Sequence, residues 1–361
     1  MKQLVKVLTD IKQVEGPKLL HILTTKGKGF EEAEKDQIKF HAPGQFDRQT
    51  GTPVEKSDKK RQATYQEVFG KTLMEIADKN DKVVAITPAM PTGSSLMEMM
   101  KKMPDRVFDV GIAEQHAVTF SAGLAISGLK PFCVVYSTFL QRAYDQLVHD
   151  VALQNLPVVF CIDRAGLVGE DGATHHGAFD LAFLNTIPGM IVSAPLNEAE
   201  LRYMMFTASQ YSSGPFSIRY PRNLGVLGKW DEELHKIEIG KGRELLSGDD
   251  VVIVSIGHAG NAGIKVANEL ALEDIHVGLV DMRFLKPVDT DLLHKIFKKY
   301  KYIITLEDGI KNGGLATVIT QFKNDSGYQN PITSLGIPDR FISHGTFPEL
   351  HKDCGFDVES I

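Results

Sequence analysis

Two hydrophobic rhythms alternate from residue 63 to the end of the chain. TYQEVFGKTLMEIADKN repeats its apolar positions at helical spacing, and KVVAIT follows as an apolar strand-like run. VFDVG, a helix from about Ala113, PFCVVYS, a helix from Gln141 to Gln154, LPVVFCIDR, MIVSAP, a helix from Asn197 and PFSIRYPR continue the alternation. Strands alternating with amphipathic helices predict a doubly wound α/β domain over 63–228. A second unit with strands at VVIVSI, HVGLVDM and YIITLED predicts another over 229–361.

The first 62 residues have a different texture. Leu4, Val7, Leu8 and Ile11 recur at helical spacing between Lys2, Lys6 and Asp10, predicting an amphipathic helix that Gly16-Pro17 ends. KLLHILT at 18–24 reads as a short strand. One helix and one strand cannot cover both faces of that strand, because parallel strands need neighbours and covering helices. The expectation is therefore that 1–45 is the remnant of a first α/β domain. Residues 25–62 carry Lys, Glu, Asp, Gly and Pro without periodicity, which marks a linker or functional loop, with the linker proper placed at 46–62.

Charge and cysteine content narrow the function classes. Forty basic and 46 acidic side chains are mixed along the 361 residues for a formal charge of −6, so there is no basic footprint for nucleic acid. The opening MKQLVKVLTDIKQVEG lacks the unbroken apolar run of a leader or membrane span, giving a cytoplasmic expectation without membrane association. Cys133 and Cys161 lie inside apolar strand-like runs and read as small core residues kept as thiols.

Ligands of open α/β sheets gather past the carboxyl ends of the strands. There, VFDVG leads to Ile112, Glu114, Gln115 and His116, and VVYS to Thr138, Phe139 and Arg142. VVFCID leads to Arg164, Asp171, His175 and His176, and FSI to Arg219 and Arg222. Any one of these residues reads as readily as a cap or a surface ion pair; their shared position argues for a site. Glu114 would gain from the dipole of the small-residue helix it begins and lose hydration there, although a first-turn Glu can also simply satisfy backbone N–H groups. His175 and His176 stand side by side without further metal ligands at suitable spacing, so proton transfer or phosphate contact fits them better than a metal. In the second unit Gly257, Gly260, Gly263 and Asp281 imitate a dinucleotide-binding turn. Their G-x-x-G-x-x-G spacing lacks the close second glycine that a pyrophosphate requires.

DVGIAEQHAVTFSAGLA, YSTFLQRAYDQLVHDVALQNLPVVFCIDRAG, GEDGATHHGAFD and RYPR together resemble the pyrimidine-binding domain of the 1-deoxy-D-xylulose-5-phosphate synthase family, thiamine-diphosphate enzymes of the transketolase type. LVDMRFLKPVD and TLEDGIKNGGLAT resemble that family's C-terminal domain, and GPKLLHILTTKGKGFEEAEKD with KFHAP the close of its first, diphosphate-binding domain. The resemblance implies condensation of pyruvate with D-glyceraldehyde 3-phosphate, with loss of carbon dioxide, for isoprenoid, thiamine and pyridoxal synthesis. It implies a homodimer that uses thiamine diphosphate and Mg²⁺.

By motif position, Glu114 corresponds to the glutamate that hydrogen-bonds the aminopyrimidine, Phe139 to the aromatic packed on that ring, and Arg142 and Ile112 to its neighbours. Tyr136, Arg164, Asp171, His175 and Arg222 correspond to the acceptor pocket, with Arg164 and Arg222 as a phosphate clamp. Glu114, His175, Asp171 and His41 are the implied catalytic groups, and Lys26 and His41 belong to the closing segment that faces the cofactor. The Gly-Asp-Gly motif that holds the diphosphate and its Mg²⁺ does not precede Lys26, so no metal ligand is assigned. A further helix is expected beyond DVESI, and the chain reads as a fragment that is inactive alone. The rival readings are the β subunit of a 2-oxoacid dehydrogenase, against which residues 1–45 speak, and an inert partner chain.

Overall fold

The computed structural model describes residues 2–37, 39–41, 45–54 and 62–361. They form two compact units that divide after Arg61, each with its own internal packing. Part of the expected linker, 55–61, and part of the KFHAP motif lie outside the described residues.

In the first unit Lys2–Ile11 is helical as its spacing predicts, yet none of its residues is buried. Phe30, Phe40 and Phe46 pack ring against ring beside the short helix Glu31–Lys35. The strand expected at 18–24 is not formed. Leu19 and Leu23 are 94% and 85% exposed, and no neighbouring strand of this unit pairs with the segment among the described residues. An extended apolar run without a ladder partner leaves its backbone groups to water and has nothing to hold it as a strand.

The second unit contains two sheets. Strands β1 (Val83–Thr87), β2 (Val107–Asp109), β3 (Lys130–Tyr136), β4 (Val159–Asp163), β5 (Ile191–Ser193) and β6 (Phe216–Tyr220) are parallel, in the order β5-β6-β4-β3-β1-β2. Their alternation feeds two cores. Val84, Ile86, Cys133 and Val135 face one side of the sheet, and Val83, Ala85, Phe132 and Val134 the other. Helix Tyr65–Lys79 covers the second face with Val68, Phe69, Leu73 and Ile76. It starts at a capping box in which Thr64 and Glu67 satisfy each other's backbone N–H.

Strands β7 (Arg243–Leu246), β8 (Val251–Ser255), β9 (Gly278–Asp281), β10 (Phe284–Lys286), β11 (Tyr302–Ile310) and β12 (Ile332–Ile337) follow. The second sheet runs β12-β11-β8-β9-β7, with β7 antiparallel at its edge. β10 leaves that sheet and pairs antiparallel with β5, so both sheets are parallel with one antiparallel edge strand. The fold class is as expected, a pair of wound α/β domains.

The stretch expected as one helix from Gln141 to Gln154 is helical from Ser137 to Ala152 but changes type along its length: α-helical Ser137–Leu140, 3₁₀ Gln141–Ala143, α-helical Tyr144–Gln146 and π-helical Leu147–Ala152. Among the described residues no helix is long and apolar enough to cross a membrane.

Candidate active site

β2 ends at Asp109, whose carboxylate accepts the Ala89 and Gly111 N–H groups at 2.8 and 3.0 Å and fixes the turn that carries Ile112 to the surface, 87% exposed. Helix Glu114–Ile126 begins two residues later, after Ala113, which has no capping side chain. Glu114 does not stand in for the cap. Its side chain is 7% exposed, and its polar neighbour among the described residues is Arg142 Nη1 at 3.6 Å, beyond hydrogen-bond length. Its carboxylate thus makes no hydrogen bond to the described residues and is left for a ligand donor.

From Glu114 the contacts run without a break through the strand ends. The Arg142 guanidinium lies 5.3 Å over the Phe139 ring, and Phe139 stacks on Tyr136 at 5.6 Å and meets His175 edge-on at 5.5 Å. Arg164 in turn lies 4.2 Å over Tyr136, donates to Gly93 O at 2.9 Å and pairs with Asp163 at the end of β4. Burial pushes the Tyr136 phenol up to about 12, with Arg164 pulling the other way, so it stays protonated at neutral pH. Burial likewise pushes the Asp163 carboxyl up to about 6 against the pull of Arg164. Asp171 and Arg222 form an ion pair, each about 40% exposed. A cavity of about 340 Å³ lies against Arg222, with Gly169 and Glu170 on one wall and Gly345, Thr346 and Phe347 on the other. The structure thus joins Glu114, Arg142, Phe139, Tyr136, His175 and Arg164 in one contact chain and pairs Asp171 with Arg222.

Two expectations need correction. His176 is not a free acid, base or phosphate ligand: it is buried, its Nδ1 accepts the Val168 N–H at 3.0 Å, and its Nε2–H donates to Ser343 O at 3.1 Å. Burial also lowers its pKa, which keeps it neutral. Arg219 does not face the site edge with the other arginines. It is 2% exposed, and its Nε donates to both Asp180 oxygens at 3.0 Å. The sequence reading missed Asp163, Asp180 and Asp308, whose partners are set by the fold. Lys26 and His41 belong to the first unit, described by itself.

The glycine-rich turn of the second domain has a packing explanation. A Cβ on Gly263 would sit 2.9 Å from Leu279 Cδ1, and Asp281 is buried under Arg243. Cys133 and Cys161 are free and buried, and burial pushes the Cys133 thiol up to about 12.

A carboxylate, stacked rings and guanidinium groups gather past the carboxyl ends of parallel strands in a two-domain α/β protein, the place where such sheets hold ligands. The chain belongs to the transketolase family: residues 61–226 match the transketolase pyrimidine binding domain and residues 240–361 the transketolase C-terminal domain. Among curated relatives, a 1-deoxy-D-xylulose-5-phosphate synthase of Cytophaga hutchinsonii is 57% identical over 363 residues, which is 100% of this chain and 57% of that protein. The namesake of Parabacteroides distasonis is 52% identical over 99% of the chain and 57% of its own length, and that of Chlorobaculum tepidum 48% over 100% and 57%. The chain therefore spans 57% of the length of these relatives. A solved "split gene transketolase, inactive beta4 tetramer" superposes with a TM-score of 0.73 at 28% identity, covering 83% of this chain and 95% of that one.

Proposed function

We propose that the chain provides the pyrimidine-binding and acceptor-binding part of a 1-deoxy-D-xylulose-5-phosphate synthase, joining pyruvate to D-glyceraldehyde 3-phosphate with release of carbon dioxide. The observation that carries this reading is Glu114, buried and short of a hydrogen-bond donor at the head of a contact chain that reaches Arg164. That arrangement fits thiamine diphosphate: Glu114 would hold a ring nitrogen of the aminopyrimidine, Phe139 would pack on the ring, and Arg142 and Ile112 would flank it. Bound thiamine diphosphate supplies the electron sink for decarboxylation and carbon–carbon bond formation.

The chain's own residues then bind and orient the substrates. Arg164 and Arg222 offer guanidinium groups of the kind that bind a phosphate through paired N–H donors, Asp171 holds Arg222 in place, and His175, packed on Phe139, would pass a proton at the acceptor carbonyl. The family resemblance assigns Lys26 and His41 of the first unit to the cofactor as well, and the diphosphate with its Mg²⁺ to the family's diphosphate-binding domain. Exposed Ile112, Ile126 and Leu153 around helix Glu114–Ile126 support assembly with a second copy.

The test is a fusion of the diphosphate-binding domain of the Cytophaga hutchinsonii relative ahead of this chain, assayed with thiamine diphosphate and Mg²⁺. Equal consumption of pyruvate and glyceraldehyde 3-phosphate, with carbon dioxide released, is expected. A folded, cofactor-binding fusion that moves two-carbon units between sugar phosphates but leaves pyruvate untouched would refute the reading. The split-gene neighbour favours a second arrangement, in which the diphosphate-binding domain comes as a separate chain. Mixing that domain as a free polypeptide with this chain, with turnover as the readout, distinguishes it from the fusion.

A further inference from the structure

Residues 169–180 carry Asp171 and His175, and the second domain holds this segment at several points. Gly345 N–H donates to Gly169 O at 3.4 Å, His176 Nε2–H to Ser343 O at 3.1 Å, and Ile310 N–H to Ala178 O at 2.8 Å. The last tie is ionic. Arg219 grips Asp180 with its Nε and hands an Nη1–H to Asp308, which stands on β11 at 1% exposure. Asp308 also meets His258 Nδ1 at 3.0 Å. Burial raises the Asp308 carboxyl, but Arg219 and His258 more than offset it, so its pKa falls well below the ordinary carboxylate range and it stays ionised.

Asp308 also lies directly against the backbone of the site. Gly166 has φ +74°, and a Cβ there would overlap Asp308 Oδ2. Gly166 and Gly177 exchange backbone hydrogen bonds at 2.9 and 2.7 Å, and Ala165 N–H donates to Tyr220 O at 3.0 Å. The segments bearing Arg164, His175 and Arg222 are therefore stitched together immediately above one carboxylate of the other domain.

We propose that Asp308 is a positioning residue for the acceptor aldehyde, acting through Arg219 and the Gly166 backbone to set the spacing of Arg164, His175 and Arg222. The proposal rests on the function proposed above for what the spacing serves, and on the structure for how it is held. A buried ion pair alone is weak ground for any role, since such pairs often add little net stability. The close approach at Gly166 and the bond to the segment's last residue, Asp180, distinguish this one.

The test compares Asp308→Asn and Arg219→Lys with Glu307→Gln, a control on the neighbouring residue of β11 whose carboxylate accepts Leu315 and Ala316 N–H within its own domain. In the chain itself, hydrogen exchange of the His175 and His176 amides, which bond Gly172 O, should quicken about tenfold or more in the first two variants and not in the control. In the fusion, the same two variants should raise the glyceraldehyde 3-phosphate KM by about tenfold or more, the loss of about one charge-assisted hydrogen bond to the phosphate, and leave the pyruvate KM within about twofold. Unchanged exchange at His175 and His176 in folded Asp308→Asn would overturn the proposal. So would KM changes for both substrates that merely follow lost thermal stability, as in Glu307→Gln. A fusion inactive before any substitution counts against the proposed function, while the exchange experiment still decides how the loop is held.

Discussion

Glu114, the first residue of its helix, and Glu307, on β11, are both buried glutamates beside a helix start, and their partners separate them. Glu307 accepts two backbone N–H groups at 2.9 Å each and so completes the helix Leu315–Asp325. Glu114 accepts none from its own helix and faces Arg142 at 3.6 Å, which leaves its oxygens for a ligand. Loss of a positioned proton-transfer group costs about 10²- to 10⁴-fold in rate. Glu114→Gln in the fusion is therefore expected to lower turnover by at least about a hundredfold while circular dichroism and melting temperature hold; turnover within about threefold of the parent would remove Glu114 from the mechanism. Arg222 gives a different signature. A charge-assisted hydrogen bond contributes roughly 1.5 to 3 kcal/mol, so Arg222→Ala should raise the glyceraldehyde 3-phosphate KM about tenfold or more and spare pyruvate. Equal increases for both substrates would count against a phosphate contact. Glu114, Phe139, Arg164 and Arg222 were legible in the sequence because each follows the end of an apolar strand run. His176 and Asp308 were not, since what defines them is a partner 167 and 89 positions away.

At the scale of elements, a continuous apolar run marks a strand buried on both faces, as in β1 and β3, whose side chains divide between two cores. The same physics explains the failures. The apolar run 18–24 has the composition of a strand but no ladder partner among the described residues of its unit, and β7, β10 and β12 are edge strands with weak patterns. The π-helical Leu147–Ala152 keeps helical spacing in sequence while its hydrogen bonds shift by one residue, which periodicity does not report. The link between β11 and the helix it caps carries a pH dependence. Burial pushes the Glu307 carboxyl up to about 7 from 4.5, even against its two N–H donors. Its folded-state pKa is raised, so its contribution to stability is complete below about 4.5 and is lost as pH rises through about 7. Relative to Glu307→Gln, the protein should lose at most about 3 kcal/mol of unfolding free energy across that window. Denaturant titrations of both proteins at pH 5 and pH 8 measure it. The paired comparison matters because burial pushes His351 down to about 4, which raises stability with pH over an overlapping range. A stability difference independent of pH would show that Glu307 is not desolvated as described.

At the scale of the whole second unit, the two sheets are built as one folding body. Val252 and Val254 of β8, with Ile256 just past its end, pack in the same core as Val84 and Ile86 of β1. β10 departs from the second domain's chain path to close the first sheet beside β5, where Phe284 opposes Ser193 and Lys286 opposes Val192. Phe284 is fully buried with its ring edge-on to Phe216 at 6.3 Å, and the Lys286 ammonium is anchored on the Asn185 and Ile187 carbonyls at 2.9 and 2.7 Å. Neither sheet can therefore open fully without exposing part of the other's core. Truncating a buried phenylalanine costs about 3 to 5 kcal/mol, and Phe284→Ala should transmit that cost to both domains although Phe284 sits on a three-residue strand. The expected result is a single calorimetric transition for residues 62–361, displaced to lower temperature in the variant. Hydrogen exchange should quicken in parallel in β6 and in β8 to β11. Two transitions, or faster exchange confined to β5 and β6, would mean that the domains fold separately and meet afterwards. In that case the second domain could not hold the acceptor segment through Asp308 with the stiffness that its buried contacts imply, because the hold would yield whenever either domain loosened alone.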